Sequence, residues 1–461
     1  MENLSPSHVL IYAVRATEQW WDYVGKNMGF DRSFVVSDMK GKGDFSVVKD
    51  FYGSYPFFYK NESQSSPLLS AEVVLEIIKR CRVLRSMTPK VAKAMVLGMA
   101  EALEIVLEKV NPSVIVAFPI DRYVTDVLER LAKSRGIPFY ELTVSPLPGM
   151  GMLMKKGALM TRNEETCSAL VEQQLAGLTE PLFAPSYVKG VSNFGLLRWV
   201  RTFLYSRLRG LIFKLISMVN RDPLNLHYLD AQPFLSHKTT LMDWKVLQFA
   251  DSYWREKAEK FPIENRVFFG LTVFPEASID YWIDNLDLIK YEEVVLEAAK
   301  AFSKAGFLIL IKDHPQQFGF RQKELIEKLL RIENAVLVPY AVSGNEVLMM
   351  CGANFSSTGT LGLQAALLGK HSIVVKNYYA QQDSFIYFES RSEISSIPMA
   401  LNGKKFSKDL KSEQHCIVER LLRGSFSCDF FSFVNFDQKK PRASAAVLGR
   451  VLGEQIRHHQ N

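Results

Sequence analysis

The chain has 461 residues, 48% of them apolar, and a formal net charge of +7. That length suits two domains of ordinary size, and that apolar content excludes extensive disorder. The charge is concentrated: Pro181 to Arg221 holds seven Lys and Arg and no Asp or Glu, so the rest is near neutral and nucleic-acid binding is not expected.

In chain order, Val9–Val14 reads as a strand, and it is too short for a signal-peptide core. A helical region is expected from Ser70 to Val110, then a β-α-β unit. Its strands are Ser113–Phe118 and Phe139–Val144; its helix carries Val124, Val127, Leu128, Leu131 and Ala132 on one face, with Gly136 as its stop. The second half alternates more regularly. Strands are expected at Arg266–Phe274, Gly306–Lys312, Ala335–Val338, Ala353–Ser356 and His371–Val375. Helices fall between them, including Arg321–Arg331, Gly344–Met350 and Leu361–Leu368. Such alternation predicts an α/β fold with two doubly wound, Rossmann-like domains and a cleft between them, a GT-B-like arrangement. The expected divisions are a first domain over 1–222, a linker and helical region over 223–264, a second domain over 265–440, and a terminal helix over 441–461 that crosses back.

Five cysteines (Cys81, Cys167, Cys351, Cys416 and Cys428) are scattered without C-x-x-C spacing, so neither a disulfide framework nor a zinc site is expected. No stretch approaches the ~18–20 uncharged apolar residues of a membrane span. The expected location is cytoplasmic, with a peripheral contact on the inner face of the membrane. That contact would be made by 189–221, where Arg198, Arg201, Tyr205 and Arg209 share a helical face beside a leucine stripe and Lys214 lies on another side.

Ligands of open parallel sheets sit outside the carboxyl ends of strands. Four strand ends here carry polar residues. Glu276 follows the strand ending at Phe274, and Lys312-Asp313-His314-Pro315 closes the next one. Asn354-Phe-Ser-Ser-Thr-Gly-Thr-Leu-Gly362 brings Ser356, Ser357, Thr358, Gly359 and Thr360 to the start of a helix. A plain helix cap needs one hydroxyl; four hydroxyls with two glycines suit a phosphate cradled by helix N–H groups. His314 can donate to such a phosphate. Tyr378 and Tyr379 follow the fourth strand. In the first half Asp121, beside Arg122, is either a helix cap or the base that deprotonates an acceptor hydroxyl.

Three of these stretches resemble motifs of the capsule polysaccharide biosynthesis proteins. They are Phe274-Pro-Glu-Ala-Ser278, Ile311-Lys-Asp-His-Pro-Gln-Gln-Phe318 and Ser357-Thr-Gly-Thr-Leu-Gly-Leu-Gln-Ala-Ala-Leu-Leu-Gly-Lys370. Two positions depart from the family pattern: Asp313 stands for the usual Glu, and Gln364 for the Glu before Ala-Ala. The resemblance covers about residues 265 to 385. It implies a surface-polysaccharide glycosyltransferase that takes a sugar from a nucleotide, a CMP-sugar such as CMP-Kdo, to a glycan or glycolipid acceptor. It further implies donor-phosphate contacts from His314, Ser356, Ser357 and Thr358, and it places Lys312, Asp313, Gln364, Gly359 and Thr360 beside them. Asp121 or Glu276 would serve the acceptor or hold the sugar. No metal or cofactor is expected. The alternatives are a nucleotide-sugar epimerase, a CDP-polyol phosphotransferase and a non-catalytic glycan-binding subunit of an export assembly.

Overall fold

A computed structural model describes residues 7–14, 17–162, 166–180, 194–219, 224, 239–273, 276–380, 383–403, 409–428 and 441–460. Two sheets organise it. The first contains β1 (His8–Ala13), β2 (Arg32–Ser37), β3 (Phe45–Ser46), β4 (Val114–Ala117), β5 (Phe139–Val144), β6 (Met150–Lys155) and β7 (Ala158–Leu159). The second contains β8 (Arg266–Gly270), β9 (Leu308–Lys312), β10 (Ala335–Leu337), β11 (Ala353–Phe355), β12 (His371–Val375) and β13 (Phe385–Phe388). The chain then returns to the first sheet as β14 (Ser425–Ser427), antiparallel to β6.

The second sheet is wholly parallel, in the order β10-β9-β8-β11-β12-β13. The first has the order β14-β6-β5-β4-β1-β2-β3, parallel from β5 to β3, with an antiparallel edge at β6 and β14. Both sheets are covered on both faces, as parallel sheets must be. The period of two shows why. On β8, Val267 and Phe269 enter one core and Phe268 enters another. On β1, Leu10 and Tyr12 face one core while Val9, Ile11 and Ala13 face the other.

The helices of the first half are α1 (Glu18–Lys26), α2 (Val48–Lys60), α3 (Ala71–Arg80), α4 (Pro89–Val110), α5 (Tyr123–Ser134), α6 (Ser168–Leu178) and α7 (Leu196–Val219). The single helical region expected over 70–110 is split at a 3-10 turn, Leu84–Ser86, because Pro89 opens a new helix there. The expected boundary at residue 222 lies outside the described residues. Trp199 and Phe203 of α7 are buried in the core of the second sheet, and Phe194 stacks on Tyr340 at 5.5 Å. Leu175 and Leu178 of α6 pack with Ile417 and Leu421 of the helix Leu410–Arg423. The apolar faces of both helices thus pack against elements of the second half, and α6 also meets Leu147 and Leu159 of the first.

The helix Pro441–Gln460 packs against α1. Gly449 and Gly453 allow the approach: a Cβ on Gly453 would stand 1.8 Å from the Met28 carbonyl oxygen. Arg457 completes the contact by donating to that carbonyl at 2.8 Å.

Candidate functional site

Strand order reverses between β8 and β11 in the second sheet and between β1 and β4 in the first. Such switch points open a crevice at the carboxyl ends of the strands. Among the polar residues singled out in the sequence, Glu276 and Ser356 to Thr360 follow β8 and β11 at one of them, and Asp121 follows β4 at the other.

At the second crevice, Ser278 follows β8 and Thr358 follows β11, and their hydroxyls meet at 2.9 Å. Ser356, Ser357 and Thr358 are all buried. Ser356 accepts from the Asn354 side-chain amide at 3.3 Å, whereas the Ser357 hydroxyl has no hydrogen-bond partner among the described residues. A buried hydroxyl without a partner costs about 1–3 kcal/mol and is worth an explanation. Gly359, at φ +108°, turns the chain into the helix Thr360–Leu367, whose first-turn amides receive no side-chain cap. The Tyr379 hydroxyl donates to the Gly359 carbonyl at 2.6 Å and holds the turn. Gln364 is buried on that helix.

β9 lies on the other side of β8, so its end stands about 10 Å from that of β11. Here His314 precedes a short 3-10 turn, Pro315–Gln317, and its Nδ1 accepts the Gln316 amide at 3.1 Å. Burial, aided by Arg321 and Lys312, pushes the imidazole down to about 4 against the pull of Asp313. The ring is therefore neutral at pH 7, and with Nδ1 accepting, its proton sits on Nε2. Asp313 is buried and committed elsewhere: Arg321 holds it at 2.7 Å, the Tyr340 hydroxyl donates to it, and the His314 amide donates at 2.9 Å. Its part in the site is to fix the His314 turn. Lys312 donates to the Tyr340 carbonyl at 3.1 Å, and burial pushes its ammonium down to about 8.

Glu276 stands at the N-cap position of the helix Ala277–Asp280, and its side chain makes no capping hydrogen bond. Burial pushes its carboxyl up to about 7; the Ser278 hydroxyl and Arg82 pull it down. On the first domain, Asp121 is partly exposed after β4 and pairs with Arg122 at 2.9 Å. Arg122 also holds Asp38 at 3.1 Å, and the Tyr12 hydroxyl donates to Asp38 at 2.9 Å. Glu141 is buried on β5 and accepts the Ile120 amide at 2.8 Å, so it fixes the turn that presents Asp121.

Three arginines join the two halves. Arg80 donates to the carbonyls of Asp280, Ile283 and Asp284 at 3.0, 2.7 and 2.8 Å. Arg85 pairs with the Asp280 carboxylate at 3.1 Å. Arg82 stands 3.5 Å from the same carboxylate and donates to the Asp121 carbonyl at 3.4 Å. Asp121, Arg82, Asp280, Glu276, Ser278 and Thr358 thus form one continuous line across the cleft. The sequence reading did not include the arginines; their spacing in Arg80-Cys-Arg-Val-Leu-Arg85 was the available signal.

Arg198, Arg201, Tyr205 and Arg209 line one groove of 810 Å³ along α7 with Phe320, apart from the cleft residues. The Lys214 side chain lies outside the described residues, as do Phe274 and Pro275. Leu204, Leu208, Leu211 and Leu215 are each more than half exposed. Among the described residues no helix is long and apolar enough to cross a membrane, and no cluster of His, Cys, Asp and Glu has metal-site geometry.

Fold and site together define a two-domain, GT-B-like α/β protein with polar crevices at its switch points. Similar solved structures include Methanocaldococcus jannaschii UDP-GlcNAc 2-epimerase in complex with UDP-GlcNAc and UDP, at 11% identity over 90% of this chain and 98% of that one, with a TM-score of 0.28. An S. aureus MnaA–UDP co-structure matches at 10% identity over 93% and 95%, with a TM-score of 0.29. Thermosulfurimonas dismutans KpsC, a β-Kdo 2,7 transferase, matches at 13% identity over 78% and 90%, with a TM-score of 0.31. No protein-family model matches the sequence, and no curated protein matches it.

Proposed function

We propose that the protein is a glycosyltransferase of bacterial surface-polysaccharide biosynthesis that moves a sugar from a nucleotide donor, a CMP-sugar such as CMP-Kdo, to a glycan or glycolipid acceptor. One observation carries this reading. A neutral His314 with its proton on Nε2 and an unpartnered Ser357 hydroxyl stand at strand ends either side of β8, beside an uncapped helix N-terminus. That set offers donors to a phosphate and spends no ion pair on it. Arg321 is already consumed by Asp313, and Lys312 by a carbonyl, so the local charge suits the single phosphate of a nucleoside monophosphate.

In this scheme an acceptor hydroxyl attacks the anomeric carbon as its bond to the donor phosphate oxygen breaks. His314, Ser357 and the amides at Thr360 stabilise the departing phosphate. The hydroxyl proton passes to a carboxylate. Glu276 suits that role, since a base with a pKa near 7 is matched to neutral conditions. Asp121 is paired with Arg122 at 2.9 Å, which suits it to orienting the acceptor. The scheme calls on no metal ion. The basic face and exposed leucines of α7 support peripheral docking on the anionic inner face of the membrane.

A thermal-shift panel of CMP, CDP, UDP and GDP tests the donor assignment, because a ligand of the native state raises its melting temperature. Stabilisation by CMP is expected; a strict preference for UDP overturns it. Incubation with donor alone tests the reaction, since isomerised sugar in the absence of acceptor identifies an epimerase instead. A CDP-polyol phosphotransferase would release CMP and transfer the polyol phosphate. No response to any nucleotide would favour a glycan-binding subunit.

A further inference from the structure

A second cavity, 340 Å³ in volume, opens between the domains at the end of β12. That is the lower range of small-ligand pockets. Its first-domain wall is the tip of the β6–β7 hairpin, Lys156-Gly157, with φ of +48° and +77° as a type I′ turn requires. The tip presses on the second domain: a Cβ on Gly157 would lie 2.6 Å from that of Trp282. Trp282 meets Tyr378 edge to face, with ring centres 6.2 Å apart. Arg420 enters from the helix Leu410–Arg423.

Most polar groups in the lining are already used. The Asn377 side chain binds the backbone at Val375, Tyr379 and Ala380, and that of Asn285 binds at Asp287 and Glu389. Lys376 pairs with Glu389 at 2.9 Å, and Asp284 is exposed. Lys156 and Arg420 differ: among the described residues neither has a carboxylate within ion-pair distance, and the Arg420 Nε has no hydrogen-bond partner. Both are partly buried, and desolvation lowers the pKa of each. Asp126 and Glu129 act on Lys156 only at longer range, against Arg130 and Arg80. Two cations held at reduced hydration with no ion-pair partner among the described residues, beside two aromatic rings, match a sugar ring that bears an anionic group. The rings take its apolar face, and the cations take its carboxylate or phosphate.

We propose that this pocket seats an anionic sugar unit of the acceptor. The assignment deepens the transferase reading above and rests on it. The pocket is joined to the donor crevice through Tyr379, which touches Tyr378 on one side and the Gly359 carbonyl on the other.

The test is ligand-observed NMR on the full chain with galacturonate, glucose 6-phosphate and glucose, and separately with CMP. At least one anionic sugar should bind tenfold or more tightly than glucose, and the two arms tell carboxylate from phosphate. Lys156→Met and Arg420→Met should each lose tenfold or more of that binding and keep CMP binding. Arg420→Lys should restore part of it, which a loss of packing alone would not. Equal binding of glucose, unchanged affinity in both Met variants, or displacement of the sugar by CMP overturns the proposal. If CMP binds and no anionic sugar does, this pocket assignment falls and the donor reading stands. If the sugar binds as described and CMP does not, the donor reading falls alone.

Discussion

The hydroxyls of Ser278 and Thr358 meet at 2.9 Å across the crevice between β8 and β11. That contact closes the crevice floor with groups that carry no charge. It also brings the turn holding Glu276 against the turn holding Ser357, so the proposed base and phosphate cradle share one wall.

Ser357→Ala separates ligand binding from fold stability. Its hydroxyl is buried without a partner, so removing it should leave the melting temperature of the free protein unchanged or raised. CMP affinity in calorimetric titration should fall roughly tenfold, the worth of one hydrogen bond to a charged group. Undiminished affinity removes Ser357 from the cradle.

His314→Ala removes the Nε2–H donor while leaving Asp313, Arg321 and Tyr340 in place. Transfer should slow by about 10²–10³-fold, as when one donor to a developing anion is lost. The far-ultraviolet circular dichroism spectrum should not change. Full turnover in this variant sinks the scheme.

Glu276 sets a pH dependence with opposite signs for stability and rate. Its folded carboxyl is raised to about 7 from 4.5, so between these values the native state binds more protons than the unfolded one. Its contribution to stability is full below the unfolded value and is lost as pH rises through 7. Glu276→Gln should therefore melt higher than the parent, relative to their difference at pH 5, once the pH exceeds 7. Activity should rise through the same range in the parent as the base ionises, and that inflection should vanish in the variant.

Arg80→Ala strips the carbonyls of Asp280, Ile283 and Asp284 of their shared donor, the first two of them in buried contacts. A destabilisation of about 2–4 kcal/mol is expected in urea unfolding, since those two orphaned acceptors stay buried. A loss below ~0.5 kcal/mol would show that the domain junction is held elsewhere.

The triple substitution of Arg198, Arg201 and Arg209 by Ala tests membrane docking. At ~1 kcal/mol for each basic residue near an anionic surface, co-sedimentation with phosphatidylserine vesicles should weaken by roughly 100-fold. Added salt should weaken the parent in the same way. Equal binding of the parent to neutral vesicles would assign the contact to the leucines instead.

The second domain was the more legible in sequence. Its strands are buried on both faces, so Phe307-Leu-Ile-Leu-Ile311 and His371-Ser-Ile-Val-Val375 read as short unbroken apolar runs. β2 opens with Arg32 and Ser33, and β14 spans only Ser425–Ser427; neither carries enough pattern to be recognised. β8 ends at Gly270, with the Leu271 amide adding one more bond to the Lys312 carbonyl of β9, and the Phe274 expected to end the strand lies outside the described residues. The residues that face the crevice could be found because they directly follow strands. Their supports could not. Arg80 and Asp280 are 200 positions apart, and only the fold makes them neighbours. Asp313 reads as a donor ligand in sequence, yet Arg321 and Tyr340 consume both its oxygens.

The return of the chain to its first sheet has a consequence for biosynthesis. Ala445, Leu448, Leu452 and Ile456 fill the core under α1, and β14 closes the sheet edge beside β6. During translation the first domain therefore emerges with one core open, and it waits while the whole second sheet is made. The second domain can close once the helix Leu410–Arg423 has left the ribosome, but the first cannot until Pro441–Gln460 follows. In that interval Trp20, Trp21 and Val24 are uncovered and offer a sticky face to chaperones and to other nascent chains.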